Sequence, residues 1–163
     1  GQTGILIAGA GIPMDAVIAD FAAGAAEVLS PDAAPCHWDV IEGQGSLSHP
    51  AYAGVSLALL HGSQPDVGVI CHEHGRDHVL GYPHYALPSL EDTVELALTL
   101  GSRTNPDIRC AGISLNTAKL EADAAYRAIN ALSDRLGMPV ADPVRGGESF
   151  DALVSACLAK QAE

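Results

Sequence analysis

The residues best suited to chemistry fall in a few short segments. Glu42-Gly43-Gln44-Gly45-Ser46 sets an acidic side chain beside two glycines. A carboxylate at such a turn can hold a metal ion or a metal-bound water. Glycine lets the backbone approach a ligand closely, so the N–H groups of Gly43 and Gly45 could hold an oxyanion or a phosphate. The plain alternative is a tight turn with a solvated glutamate. Ser46-Leu47-Ser48-His49-Pro50 follows at once. His49 is a candidate general base because an unperturbed imidazole titrates near neutrality. Ser46 and His49 could also be nucleophile and base, although the sequence has no G-x-S-x-G elbow.

Cys71-His72-Glu73-His74-Gly75-Arg76-Asp77-His78 is dense in potential ligands. As a metal site it would use His72 and His74 with Glu73 or His78, but the spacing matches neither zinc-finger nor H-E-x-x-H patterns. The stronger reading places His72, Glu73 and Arg76 around an anionic small molecule, with Arg76 pairing to a carboxylate or phosphate. Asn116-Thr117-Ala118-Lys119 offers an amide that could read a base or polarise a carbonyl, or that simply caps a helix. Asp142-Pro143-Val144-Arg145-Gly146-Gly147 offers Arg145 and a helix N-terminus for an anion, or a plain turn. Gln2, Thr3, Gln44, Ser46 and Tyr52 complete the expected substrate-binding set with His72 and Arg76. Asp15 is read as a helix cap, and His37, His61, His78 and His84 as surface or internally satisfied histidines.

The elements that position these segments alternate. Strands are predicted at Thr3–Ala8, Trp38–Ile41, Asp66–Cys71, Ile108–Leu115 and Met138–Ala141. Helices are predicted from Asp15 to Leu29, with Val17, Ile18, Phe21 and Val28 inward, and over Ala51–Leu60, Ser89–Leu100, Glu121–Leu136 and Ser149–Lys160. Ser89 with Asp92 approximates a capping box, and Gly137 ends the helix before it. His72–Pro88 reads as a long polar loop. Repeated strand–loop–helix units predict a parallel sheet with right-handed crossovers. In such sheets ligands bind beyond the carboxyl ends of the strands, where the glycine-rich and charged segments are expected.

Composition narrows the function. The chain has 163 residues, enough for a single α/β domain spanning 1–163, with helices on both faces of a three-layer, mostly parallel sheet. A formal charge of −12 opposes binding to nucleic acid. No apolar run reaches the roughly 20 residues that span a bilayer, and no signal peptide is recognised, so a cytoplasmic location without membrane attachment is expected. The four cysteines lack C-x-x-C spacing and are expected as reduced thiols, with Cys71 and Cys110 buried in strands.

GQTGILIAGAGIPMDAVIADFAAGAAE, VIEGQGSLSHPAYAGVSLALLHGSQPD, CHEHGR, GISLNT and MPVADPVRGG closely resemble a family of P-loop proteins known as a domain of unknown function, which includes D-glutamate N-acetyltransferases. The likeness runs over essentially the whole chain. Its longer members carry an N-terminal α/β domain and a P-loop ahead of this region. The sequence contains no G-x-x-x-x-G-K-[ST], so the resemblance implies a P-loop NTPase-like domain lacking its phosphate loop, part of a longer protein whose N-terminal half is its partner. More distantly, the chain is similar to dethiobiotin-synthetase-like P-loop proteins. That likeness implies Glu42 near phosphate or metal, and Asn116 near the base of a nucleotide or of coenzyme A, with Lys119 and Arg145 beside it.

The resulting expectation is transfer of an acetyl group from acetyl-CoA to the amino group of a D-amino acid, D-glutamate by resemblance. His49 or Glu73 would be the base, Glu42 a further catalytic residue, and Gly43 and Gly45 the oxyanion hole. Two alternatives stand beside it. One is an ATP- and Mg-dependent ligase or kinase-like enzyme with Glu42 at the metal. The other is a non-catalytic ligand-binding or assembly module, whose small-residue helices would serve a subunit interface in a homo-oligomer.

Overall fold

A computed structural model describes residues 2–34 and 36–159; the side chain of Gln2 and the predicted helix end at Lys160 lie outside the described residues. The helices are α1 (Gln2–Ala8), α2 (Ala22–Leu29), α3 (Ala53–Ser63), α4 (Leu90–Gly101), α5 (Ala122–Leu136) and α6 (Glu148–Leu158). The strands are β1 (Val67–Glu73), β2 (His78–Val79), β3 (Tyr82–Ala86), β4 (Arg109–Asn116) and β5 (Val140–Ala141). Contacts divide the chain into two compact units, residues 1–66 with 99–108, and residues 67–98 with 109–163.

The second unit carries the expected parallel sheet. Its strand order is β1-β4-β5, with both pairings parallel. β4 is central and therefore the most buried. Ile113 and Leu115 are almost fully inaccessible and pack with Val94 of α4, Ile129 of α5 and Val140. Side chains alternate across a strand, so Gly112 belongs to the opposite face from Ile113. There Leu153 of α6 and the Pro139 carbonyl come so close that a Cβ on Gly112 would overlap both. Helices thus cover both faces of β4. β1 is an edge strand, which explains why its apolar run is only half-buried and why Cys71 is exposed rather than buried as expected. Among the described residues all four cysteines are free thiols, and burial raises the pKa of Cys110.

Local signals account for the helix limits. Ser89 Oγ accepts the Asp92 N–H at 3.0 Å, as its capping role requires. Gly137 takes the left-handed conformation (φ +64°) that closes α5. At the base of β4, Arg109 donates to the carbonyls of Ala156 (2.7 Å), Cys157 (2.8 Å) and Ala159 (2.7 Å), satisfying the end of α6.

The first unit departs from the expectation in several places. Thr3–Ala8 lies in a helix, not a strand, and Leu6 and Ile7 are more than four-fifths exposed. A short apolar run carries no period that separates the two conformations. The helix expected from Asp15 is two 3₁₀ turns followed by α2, with no side-chain cap at Asp15, and Ile18, Phe21 and Val28 are exposed. Trp38–Ile41 is not a strand, because no described strand pairs with it; Val40 is 95% exposed.

Small residues have an internal use. A Cβ on Gly62 of α3 would overlap the Ala23 carbonyl oxygen and the Ala26 side chain of α2. The close α2–α3 approach therefore depends on a residue without a side chain at this position. Replacing Gly62 with Leu is expected to force the helices apart and cost roughly 1–3 kcal/mol or more, measured by denaturant unfolding; an unchanged midpoint would contradict the close approach.

Candidate functional site

The parallel ladder decides which segments meet in the second unit. β1 and β4 are aligned so that Glu73 lies opposite Asn116 and His72 opposite Leu115. Past the strand ends the His74 N–H donates to the Asn116 carbonyl at 3.0 Å. The two loops therefore leave the sheet side by side. Glu73 Oε1 lies 2.5 Å from Lys119 Nζ, and Glu73 Oε2 accepts from the Arg76 guanidinium. The Glu73 side chain is only 15% exposed, whereas that of Lys119 is 80% exposed. The Lys119 hydrogen bond, opposed by burial and aided by Arg76, holds the Glu73 carboxyl below its ordinary range. A carboxylate so engaged is a poor proton acceptor, which weakens its case as the base. His72 precedes it on β1, with its side chain on the opposite face of the strand, and is half-buried. Burial lowers its pKa, with Arg76 and His74 adding to the effect and Glu73 opposing it. At neutral pH His72 is therefore an uncharged imidazole, the protonation state a general base requires.

The loop expected over His72–Pro88 contains more order than its polarity suggested. β2 and β3 form an antiparallel hairpin around Leu80-Gly81, with Gly81 at φ +81°, and Leu87 N–H closes its base on the Asp77 carbonyl at 2.8 Å. Val79 and Tyr82 flanking a glycine-containing two-residue turn were the missed signal. Between hairpin and strand end is an open cleft of about 290 Å³, lined by Glu73, Arg76, Asp77, His78 and Lys119 among others. Asp77 binds His78 Nδ1 at 2.7 Å, which depresses its carboxyl.

Asn116 and Arg145 have internal partners. Asn116 Oδ1 accepts the Ala118 N–H at 2.9 Å, which closes a turn ahead of α5; the N-cap of that helix is Glu121, so Asn116 is not its cap. Arg145 donates from Nε to Thr117 Oγ1 (2.7 Å) and from its other nitrogen to the carbonyls of Thr117 (3.0 Å) and Leu120 (2.6 Å). Thr117 and Asp142, both buried, were not singled out from the sequence. Asp142 Oδ2 accepts from Thr117 Oγ1 at 2.5 Å and Thr117 N at 2.9 Å, and Oδ1 accepts from Val144 N at 3.0 Å. Burial alone would raise the Asp142 pKa, but these hydrogen bonds outweigh it and leave it lowered.

In the first unit the Glu42–Tyr52 segment forms its own constellation. Glu42, Gly43 and Gln44 are exposed, without regular structure, so Glu42 is not at a strand tip. The Gln44 carbonyl accepts from Ser56 of α3. Gly45 has φ +68°, and a Cβ there would press on Tyr52 and His49. His49 Nδ1 accepts the N–H groups of Ala51 (3.1 Å) and Tyr52 (3.2 Å), its ring lies 4.5 Å from that of Tyr52, and its own N–H donates to the Ser46 carbonyl at 3.1 Å. An imidazole accepting at Nδ1 carries its neutral-state proton on Nε2. In that tautomer the ring donates from Nε2. Thr3 lies in α1.

Among the described residues no group of three His, Cys, Asp or Glu side chains is close enough to hold a metal ion, so His72 and His74 do not assemble ligands with Glu73 or His78. No helix among them is long and apolar enough to cross a membrane.

The family described as a domain of unknown function (DUF1611_C), P-loop domain, matches residues 1–154. The chain belongs to that family. It is 55% identical over 155 residues to a D-glutamate N-acetyltransferase of Pseudoalteromonas sp, covering 95% of this chain and 46% of that protein. It is 50% identical over 157 residues to a D-glutamate N-acetyltransferase of Tritonibacter scottomollicae, covering 95% and 47% respectively. The crystal structure of a DUF1611 family protein from Anabaena variabilis superposes with a TM-score of 0.83 at 38% identity, over 97% of this chain and 46% of that one. The chain thus spans about half the length of the relatives it matches.

Two measurements check this geometry. Nitrogen NMR should find neutral His49 with its proton on Nε2, and Gly45→Ala, strained in backbone and space, should disturb that signal; a proton on Nδ1 would contradict the placement. Asp142→Asn is expected to cost about 1–3 kcal/mol by leaving buried donors poorly matched, read by unfolding at neutral pH. Because the folded pKa is lowered, the stability from Asp142 is present above the unfolded value near 3.8 and lost as pH falls through the folded one.

Proposed function

We propose that the intact protein is an N-acetyltransferase that moves the acetyl group of acetyl-CoA onto the amino group of a D-amino acid, D-glutamate foremost. The observation that carries this reading is the 50–55% identity to proteins named D-glutamate N-acetyltransferase across 95% of the chain.

The site in the second unit suits the acceptor half of the reaction. An amino acid arrives as an ammonium, which cannot attack a thioester until it loses a proton. His72, kept neutral by burial, takes that proton. The freed amine attacks the thioester carbonyl, and the tetrahedral oxyanion collapses as the C–S bond breaks, the thiolate of coenzyme A leaves and the nitrogen releases its second proton to solvent. His72 then returns the proton to the thiolate. Arg76, in the cleft that Glu73 and Lys119 also line, is a carboxylate-binding group, and the Asn116 amide is a donor for an amide or base of the coenzyme. A rival reading, in which ATP and Mg serve a ligase or kinase-like reaction, draws on the P-loop description of the family.

The test is incubation of the intact protein with acetyl-CoA and D-glutamate, following free thiol and N-acetylglutamate by mass spectrometry. Stoichiometric formation of both supports the proposal. No acetylated product, with Mg-dependent ATP hydrolysis instead, would favour the rival. His72→Gln is expected to lower kcat by about 100-fold or more. The acidic limb of kcat/KM should fall below the ordinary imidazole value of 6.5, because His72 is displaced downward.

A further inference from the structure

We propose that Glu73 is an internal stand-in for the carboxylate of the substrate, seated on Arg76 and Lys119 in the resting protein and displaced from them when an amino acid binds. The inference deepens the proposed acetyl transfer and rests on it for the identity of the acceptor, though not for the binding event itself.

Three observations lead here. First, Glu73 divides its two oxygens between two cations, Lys119 at 2.5 Å and Arg76, and engages each through a single nitrogen. A guanidinium has five N–H donors and an ammonium three, so both cations keep donors for a second acceptor. Second, Glu73, Arg76 and Lys119 line the same open cleft. Third, the charges there are balanced. Arg76 and Lys119 oppose Glu73 and Asp77, and His78 is held on Asp77. A balanced cleft on a chain of formal charge −12 offers little to an added anion. Exchange of one carboxylate for another keeps the balance and preserves the charge-assisted bonds.

Exchange also has a use for the group it releases. Once off its cations, Glu73 is a carboxylate at the end of β1, adjacent in sequence to His72 and in the same cleft as Asp77. The substrate's ammonium is the partner such a carboxylate requires. The site would thus take a zwitterion: carboxylate on Arg76 and Lys119, ammonium toward Glu73. An amine without a carboxylate could not dislodge Glu73, and an anion without an ammonium would leave Glu73 uncompensated. The chemical class selected is therefore the amino acid. Lys119, four-fifths exposed and at the loop after β4, is a specificity determinant in this scheme.

Calorimetry on the intact protein tests the exchange without reference to catalysis, using glutarate and D-glutamate as probes. Glu73→Gln removes the internal competitor and its charge, so glutarate should bind about tenfold tighter than to the unaltered protein, while D-glutamate gains less or loses because its ammonium partner is gone. Lys119→Gln, at a site too exposed to threaten folding, should weaken both ligands by about tenfold. Glutarate binding that is unchanged or weakened by Glu73→Gln, or indifferent to Lys119→Gln, would overturn the proposal, as would D-glutamate affinity that rises as much as that of glutarate. Acetyl transfer assayed on the same preparations separates the two readings. Exchange behaviour without transfer would sink the catalytic reading alone, and transfer without exchange behaviour would sink this one alone.

Discussion

The parallel alignment of β1 with β4 is the constraint from which the site follows. With Glu73 fixed opposite Asn116, the loop after each strand starts at the same level. Lys119 can then reach Glu73 from 46 positions further along the chain, whereas Arg76 arrives from the turn that follows Glu73 itself. A slip of one residue would turn Glu73 to the other face of the sheet and leave Lys119 without its partner. The register is held in turn by the burial of Ile113 and Leu115, which cannot move by one position without exposing the centre of the core. Hydrophobic packing thereby fixes the placement of charges that it never touches.

Two carboxylates at the ends of the strands solve the problem of burial differently. Asp142 is buried and satisfied by three short-range donors, backbone and hydroxyl, with Arg145 nearby at 3.7 Å. Such a network resists change, because any displaced member leaves a buried polar atom unmet. Glu73 is held by long, flexible cations that reach solvent, where such pairing is screened by water and readily exchanged. Rigid and labile electrostatics are thus neighbours. The first fixes the loops, and the second is free to respond to a ligand.

Much of the second unit was legible from sequence because its elements are long and carry strong punctuation. The apolar runs of β1 and β4, Ser89 before α4 and Gly137 after α5 each state one outcome, and the strand-end position of His72, Glu73, Arg76 and Asn116 follows from them. The roles within that site were harder to read. Lys119 and Arg76 occupy the Glu73 carboxylate, a pairing between segments that spacing cannot reveal. Asp142 and Thr117 looked like ordinary turn residues; only tertiary folding joins them. In the first unit the signals were short. Thr3–Ala8 and Trp38–Ile41 are apolar without a period, and an apolar run becomes a strand only when another strand supplies its ladder.

β4 is tethered at both extremities. Its first residue, Arg109, grips the closing turn of α6, and the residue just after its end, Thr117, is locked to Asp142. Strain entering through the closing turn of α6 meets the strand at the margin remote from Asn116. The scaffold is therefore modular in an evolutionary sense. Drift in the closing turn of α6 can be absorbed at one margin while the loops at the other are remodelled around a different ligand.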